Sequence, residues 1–162
     1  MNRLFPSLCI GIFTFTHWVA FSQGTQLLRE PTLSSEHIVF VYANDLWKVG
    51  RDGGDAVRLT SDEGHESAPH FSPDERWIAF TGEYGGNTDV YVIPAEGGSP
   101  QRLTWHPGGD YVQGWTPDGK VLFRSGREGH PTQINKFYTV SLEGGLPEAV
   151  DIPRAAYGEI DA

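Results

Sequence analysis

Phe71-Ser72-Pro73-Asp74 returns as Trp115-Thr116-Pro117-Asp118, 44 residues further along the chain. The same offset of 44 relates Arg58-Leu59-Thr60 to Arg102-Leu103-Thr104, Asp45-Leu46-Trp47 to Asp89-Val90-Tyr91, and Gly53-Gly54 to Gly97-Gly98. Gly144-Gly145 continues the series 47 residues after Gly97-Gly98, whereas Gly82 and Gly126 still differ by 44. The third copy therefore carries a three-residue insertion between Gly126 and Tyr138. A period of about 40–50 residues built from short strands is the pattern of β-propeller blades.

Each copy reads as four strands separated by turn chemistry. In the second copy, Ala68 to Ser72 is short and apolar, and Pro73-Asp74 turns the chain. Trp77-Ile78-Ala79-Phe80 carries no charge and reads as a buried strand. Gly82 to Asn87 reads as a loop. Val90-Tyr91-Val92-Ile93 has the β-branched and aromatic composition of a packed strand. Glu96-Gly97-Gly98 reads as a tight hairpin leading to an outer strand at Gln101-Arg102-Leu103, and Asp52-Gly53-Gly54 and Glu143-Gly144-Gly145 repeat it. Glycine enters positive φ without a Cβ clash, which such turns demand. No segment after residue 22 has a helical period. The fold expected is all-β: blades of four antiparallel strands, about three of them, with the start of a fourth.

The units run over about 27–60, 66–104 and 111–150, and 153–162 reads as the opening of the next. Propellers close with 4–8 blades. Three and a fraction would leave strand edges open, which proteins normally cover or blunt. The segment thus reads as the front part of a longer propeller.

Residues 1–22 are of another kind. Arg3 precedes an apolar run from Leu4 to Phe21, interrupted by Ser7, Thr14, Thr16 and His17. Ala20-Phe21-Ser22 has the small-x-small form cut by signal peptidase, placing cleavage between Ser22 and Gln23. A membrane anchor is the competing reading, because the run approaches the ~20 residues that span a bilayer. Pro6, His17 and the triplet favour the signal peptide, and Cys9 lacks the preceding apolar run of a lipid-attachment signal. The expected location is periplasmic or secreted. The whole chain has 12 basic and 21 acidic residues, net −9, and loss of Arg3 with the leader takes this to −10. Nucleic acid and anionic membranes select basic faces, so neither is expected as a partner. The single cysteine, Cys9, falls in the leader, leaving no disulfide or thiol nucleophile beyond it.

Candidate sites are few. His65, Glu66 and His70 invite a metal reading, but in a strand–turn setting this spacing does not converge two imidazoles, and a structural role is expected. His106-Pro107-Gly108-Gly109-Asp110 is a loop between units whose turn-forming residues explain it as well as a ligand would. Asp74 and Asp118 follow proline at the same point of successive units, where an Asp side chain bonds turn N–H groups. Trp47, Tyr91 and Tyr138 share one repeat position, and Phe71 and Trp115 another, as residues filling inter-blade cores do. No Gly-x-Ser-x-Gly elbow and no phosphate loop of the Gly-x4-Gly-Lys type occurs. No catalytic, metal or cofactor residue is assigned.

Leu28-Arg29-Glu30-Pro31-Thr32, Ile38-Val39-Phe40-Val41-Tyr42 and Asp45-Leu46-Trp47, in this order and spacing, resemble the start of tricorn-type proteases. The likeness continues through Phe71-Ser72-Pro73-Asp74, Ile78-Ala79-Phe80, Gly114-Trp115-Thr116-Pro117-Asp118-Gly119 and Leu122-Phe123-Arg124-Ser125, covering residues 27–162. The Ser-Pro-Asp turns alone also fit other periplasmic propellers, the Tol-Pal translocation protein among them. The resemblance implies a large multidomain serine peptidase: two propellers, a PDZ-like module and a distant C-terminal catalytic core, assembled into ring-like oligomers. Peptides or unfolded segments are the implied partners, and the front propeller would filter or guide them. The family's catalytic serine, histidine and glutamate have no counterpart here. A non-enzymatic binding propeller is the alternative.

N-terminal sequencing of exported protein should begin at Gln23 or within a residue or two of it. Retention of Met1 in a membrane-bound product would establish the anchor instead.

Overall fold

The computed structural model describes residues 27–128 and 135–151. Ser22, Gln23, the leader, the 153–162 segment and most of the three-residue insertion's surroundings lie outside them. The described residues contain twelve strands and no helix. They form three four-stranded antiparallel sheets, each a meander of consecutive strands. The first sheet comprises β1 (Arg29–Leu33), β2 (His37–Tyr42), β3 (Asp45–Gly50) and β4 (Val57–Arg58). The second comprises β5 (Glu66–Phe71), β6 (Trp77–Tyr84), β7 (Asn87–Pro94) and β8 (Gln101–Arg102). The third comprises β9 (Asp110–Trp115), β10 (Val121–Ser125), β11 (Lys136–Val140) and β12 (Glu148–Ala149). The first strands of successive sheets lie beside one another, β1 against β5 and β5 against β9. This all-β arrangement is a partial β-propeller with its first strands at the hub.

The core follows from the two-residue side-chain period. In the second sheet, Ile78 pairs with Ile93 and Phe80 with Tyr91. These four face the first sheet and share a buried cluster with Val39, Val41 and Leu46. The alternate residues Ala79, Val90 and Val92, with Leu103, face the third sheet and pack with Val112, Trp115, Val121, Phe123, Tyr138 and Val140. Both faces of β6 and β7 are therefore covered, which explains their near-continuous apolar runs. Phe80 and Tyr91 stack at 5.7 Å between centroids, and Phe123 and Tyr138 at 5.8 Å. Burying each such ring contributes roughly 1.5–3 kcal/mol, so the two inter-sheet layers, not any single sheet, carry the stability.

Hydrogen bonds fix how the sheets sit on one another. Trp115 Nε1 donates to the His70 carbonyl at 2.9 Å, and the Val112 amide donates to Thr81 Oγ1 at 2.9 Å. The Ala68 amide donates to a Glu30 carboxylate oxygen at 2.5 Å. Ser35 donates through its amide and hydroxyl to the Glu75 carboxylate, at 2.8 and 2.5 Å. Every hub strand is also bulged. Glu30 and Pro31 oppose the single Phe40, Ala68 and Pro69 oppose Phe80, and Gln113 is the extra residue of β9. Glu30 and Ala68 sit at φ 51° and 49°. Bulges and prolines blunt a strand's outer edge against further pairing.

Two local readings need correction. Gly82 to Asn87 is not a loop: β6 runs to Tyr84, β7 starts at Asn87, and only Gly85-Gly86 turns the chain. Both have positive φ, 63° and 84°, the geometry of a two-residue hairpin. The lone Gly82 looks like a loop residue but is a strand position cleared for the Tyr91 ring, which a Cβ there would meet at 2.8 Å. Conversely, the glycine pairs do not form tight hairpins. The turn precedes them, with Gly97 donating to the Pro94 carbonyl at 2.8 Å, Gly53 to Gly50 at 3.0 Å and Gly144 to Ser141 at 3.0 Å. Both glycines of each pair then take positive φ as the chain drifts out to the short fourth strand. The first strand of the second sheet also starts earlier than Ala68, at Glu66.

Gly98 has φ 141°, and a Cβ there would meet the Pro94 ring only at an ordinary contact of 3.7 Å, so Gly98→Val should cost about 1–2 kcal/mol, mainly through backbone strain. Gly82→Ala should cost about 1–3 kcal/mol by displacing Tyr91. Urea midpoints measure both; losses within about 0.5 kcal/mol at both positions, the range of ordinary surface changes, would contradict these geometries.

Candidate functional site

The chemistry-bearing side chains of this segment gather at the junctions between sheets. Each junction repeats one set of residues at an offset of 44: an Asp opening the third strand (Asp45, Asp89), an Arg in the fourth (Arg58, Arg102), a Thr two residues on (Thr60, Thr104), and an acid opening the next sheet (Glu66, Asp110). The fourth strand lies beside the third, so the Arg meets the Asp: Arg58 to Asp45 at 2.8 Å and Arg102 to Asp89 at 2.6 Å. Glu66, Asp89 and Asp110 are fully buried.

The junctions then diverge. At the first, Glu66 accepts from the Leu46 amide at 3.0 Å and from the hydroxyls of Thr60 and Tyr84. One carboxylate thus joins β3 of one sheet to β6 of the next. At the second, Asp110 is one methylene shorter. It pairs with Arg127 at 2.7 Å, and Thr104 turns to Asp89 at 3.3 Å while accepting the Val90 amide at 3.0 Å. The Arg127 guanidinium lies 5.1 Å from the Phe123 ring and 4.8 Å from that of Tyr138, a cation–π arrangement. Arg127 follows the end of β10 much as Tyr84 ends β6. Tyrosine suits a carboxylate that already has several donors, and arginine suits one that lacks them.

Burial pushes the Glu66 carboxyl above its ordinary range, against the opposing hydrogen bonds from Thr60 and Tyr84. Burial likewise raises Asp89, offset by Asn87 and Arg102. The Tyr84 hydroxyl is raised by burial and by its bond to Glu66. Glu66 and Asp89 are occupied by donors of the fold, and Asp110 is held through one oxygen by Arg127, so the junctions act as locks between sheets.

The sites marked from sequence lie elsewhere. Asp74 and Asp118, with Gly53, Gly54, Gly97, Gly98, Gly144 and Gly145, sit in the turns at the opposite end of the sheets. Asp74 accepts from Ser72 Oγ at 2.6 Å and from the Arg76 amide at 3.1 Å, while Ser72 Oγ accepts the Trp77 amide at 3.0 Å. The Ser72 hydroxyl first, and next the Arg76 side chain, whose Nε donates at 2.6 Å, hold the Asp74 carboxyl at about 2. Asp118 is lowered by Thr116, which stands where Ser72 does. A cavity of about 250 Å3 lies between these two turns, lined by Pro73, Asp74, Trp115, Pro117, Asp118 and Leu142 among others.

His65, Glu66 and His70 are not brought together on one ligand: Glu66 turns inward, and His65 Nδ1 lies 3.1 Å from Asn44 Oδ1. Among the described residues no group of three or more His, Cys, Asp or Glu is placed to hold a metal. The His106–Asp110 loop is clamped by its own groups, with Gly108 donating to His106 Nδ1 at 2.9 Å and Asn87 to the His106 carbonyl at 2.8 Å. The hydroxyls of Ser34, Ser35, Ser72, Ser125 and Ser141 all serve turn or strand-end groups. Sequence reading named Glu66, Asp89 and Asp110 but missed that they are buried between the sheets, although the spacing of 44 between Glu66 and Asp110 was available as a signal.

Meander sheets stacked through both faces, with bulged first strands at a common hub, define a β-propeller domain. The chain belongs to the family of the tricorn protease N-terminal beta propeller domain, whose model matches residues 25–162. Over 70 residues it is 42% identical to a putative tricorn protease homolog 2 of Streptomyces coelicolor, a match covering 43% of this chain and 6% of that protein. The crystal structure of the tricorn protease superposes with a TM-score of 0.65 at 26% identity, covering 73% of this chain and 12% of that one. TolB from Acinetobacter baumannii shares the fold, with a TM-score of 0.66 at 23% identity over 78% of this chain and 32% of its own. The chain therefore spans only a small part of the tricorn relatives it matches.

A buried acid with a raised pKa stabilises most when protonated, so its contribution is present at low pH and is lost as pH rises through the folded-state value. Glu66→Gln should flatten the loss of stability as pH rises above the ordinary carboxylate range, the direction set by the upward shift of Glu66. Glu66→Ala should instead cost about 2–3 kcal/mol by leaving the Thr60 and Tyr84 hydroxyls without their acceptor. Urea titrations across pH check both; an unchanged pH slope in Glu66→Gln would contradict the assignment.

Proposed function

We propose that this chain is the front propeller segment of an exported tricorn-like serine peptidase, without catalytic residues of its own, guiding peptides toward a peptidase core elsewhere in the full protein. The observation that carries the reading is family membership across residues 25–162, joined to a segment in which the buried acids and the hydroxyls of Ser34, Ser35, Ser72, Ser125 and Ser141 serve its own fold. The hub supports a role in passage. Its three first strands are each bulged, two carry a proline at the bulge, and Glu30 is drawn onto the Ala68 amide. A strand edge interrupted in this way offers a sliding polypeptide little to pair with. A rigid ring with such a lining suits transit better than capture.

The excess of acid over base, 21 against 12, favours basic peptides by long-range attraction. Screening over ~8 Å at physiological salt confines that preference to the channel mouth. Export follows from the leader-like residues 1–22, and ring-like homo-oligomers belong to the full-length protein in this reading. The binding-only alternative, a propeller of the TolB kind, rests on fold likeness, whereas the tricorn reading rests on sequence as well.

Purified residues 23–162 should show no turnover of unstructured peptides, while the full-length gene product should cleave them and favour basic ones, more so at low salt. Turnover by the fragment that survives repurification would overturn the reading. So would a full-length product without peptidase activity.

A further inference from the structure

The second junction keeps the framework of the first and changes what is set into it. Leu103, Thr104, Gly145 and Pro147 repeat Leu59, Thr60, Gly98 and Pro100. Between them, Ser61, Asp62, Glu83 and Ser99 of the first junction become Trp105, His106, Arg127 and Leu146 of the second. The first set is polar and exposed throughout, so the fold forms at this place with no aromatic or aliphatic side chain there. In the second set Trp105 is 65% exposed and Leu146 94%, which leaves neither a place in the core. Instead the four line one hollow of about 220 Å3, walled also by Leu103 and Pro147. Single apolar side chains on a surface are ordinary, but two flanking one hollow mark a contact site.

We propose that this hollow binds one ring of a saccharide. The indole of Trp105 supplies the platform. The Arg102 guanidinium stands over it at 5.7 Å and donates through Nε to the Thr104 carbonyl at 2.7 Å, fixing the chain just before Trp105. With so much of the residue exposed, the other face of the indole stays open. That face is electron-rich and attracts the weakly positive C–H groups of a pyranose. Donors stand beside it. Arg127 is held by Asp110 at 2.7 Å and by Ser125 Oγ at 3.1 Å, so its guanidinium reaches the hollow in a set orientation. His106 accepts the Gly108 amide at Nδ1, at 2.9 Å, which leaves the ring proton on Nε2 as a second donor. A sugar ring meets both demands at once, with C–H groups on its face and hydroxyl acceptors at its edge. The apolar side chain of a partner protein would suit the indole and Leu146, but it would strip water from the guanidinium without replacing the acceptors, which is costly. The volume falls below the about 300–1,000 Å3 of sites for drug-sized ligands, which limits the occupant to a single ring. The hollow lies by the outermost strands β8 and β12, away from the hub, and is independent of the peptide-guiding reading.

Saturation-transfer NMR on the full-length gene product tests this, with the methyl glycosides of hexoses and N-acetylhexosamines, both anomers, at millimolar concentration as probes. N-acetyl-leucinamide and N-acetyl-phenylalaninamide stand in for a partner's apolar side chain. At least one glycoside should receive saturation, and Trp105→Ser, which copies Ser61, should weaken its binding about tenfold or more. Leu146→Ser, which copies Ser99, should cause a smaller loss, and Trp105→Phe should keep most of the affinity. Circular dichroism confirms folding, and Leu146→Ser carries the test if Trp105→Ser unfolds. Saturation of no glycoside overturns the proposal, and so does a glycoside bound equally by the unaltered protein and the folded serine variants. Binding of the two amides in place of the glycosides overturns it as well, since the occupant would then be a protein side chain.

Discussion

The seating of one sheet's aromatic pair on the aliphatic back of its neighbour is the constraint on which the rest depends. A four-stranded meander of this size cannot bury two faces by itself. Each sheet gains a core only from the sheet before it and the sheet after it. Phe80 with Tyr91 and Phe123 with Tyr138 fill those layers. Their demands explain the fine structure around them: Gly82 clears space for Tyr91, and the apolar runs of β6 and β7 are continuous because both sides are covered.

A second layer of constraint is electrostatic. Glu66, Asp89 and Asp110 are taken out of water at the sheet junctions, which is costly unless every carboxylate finds donors. The repeat solves this with a fixed Asp–Arg pair and leaves the neighbouring acid to a variable partner, Tyr84 at one junction and Arg127 at the next. These locks orient the sheets where the apolar layers merely attract them. Removing one partner leaves a buried charge without compensation. The bulges and prolines fall in the hub strands, where Glu30, His70 and Val112 also tie neighbouring sheets together.

The 44-residue spacing was enough to read the architecture, because blades repeat their turn chemistry and their aromatic positions. Tyr91 and Tyr138 announced the inter-sheet layers in advance, whereas Trp47, at the same repeat position, stands half-buried on the outer face of the first sheet. Local geometry was less legible. Gly82 looks like a loop residue in sequence, since nothing local shows that a ring from β7 needs its missing side chain. Gly97-Gly98 looks like a hairpin because the Pro94–Gly97 turn before it uses residues with no strong signature. Glu66 and Asp110 stayed hidden for another reason. An acid beside glycine and histidine reads as a solvated loop, and only the packing of Thr60, Tyr84 and Arg127 around them turns them inward. The hub bulges leave no mark beyond Pro31 and Pro69.

If inter-sheet seating is the unit of stability, it must appear as coupling between residues that share a layer and vanish between residues that do not. The direct measurement is a pair of double-mutant cycles in urea: Phe80→Ala with Leu46→Ala, which share one layer, and Phe80→Ala with Phe123→Ala, which fill different layers. The account predicts an interaction energy of about 0.5–3 kcal/mol for the first pair and additivity within about 0.5 kcal/mol for the second. Additivity in the first pair, or coupling in the second as large as in the first, would contradict it.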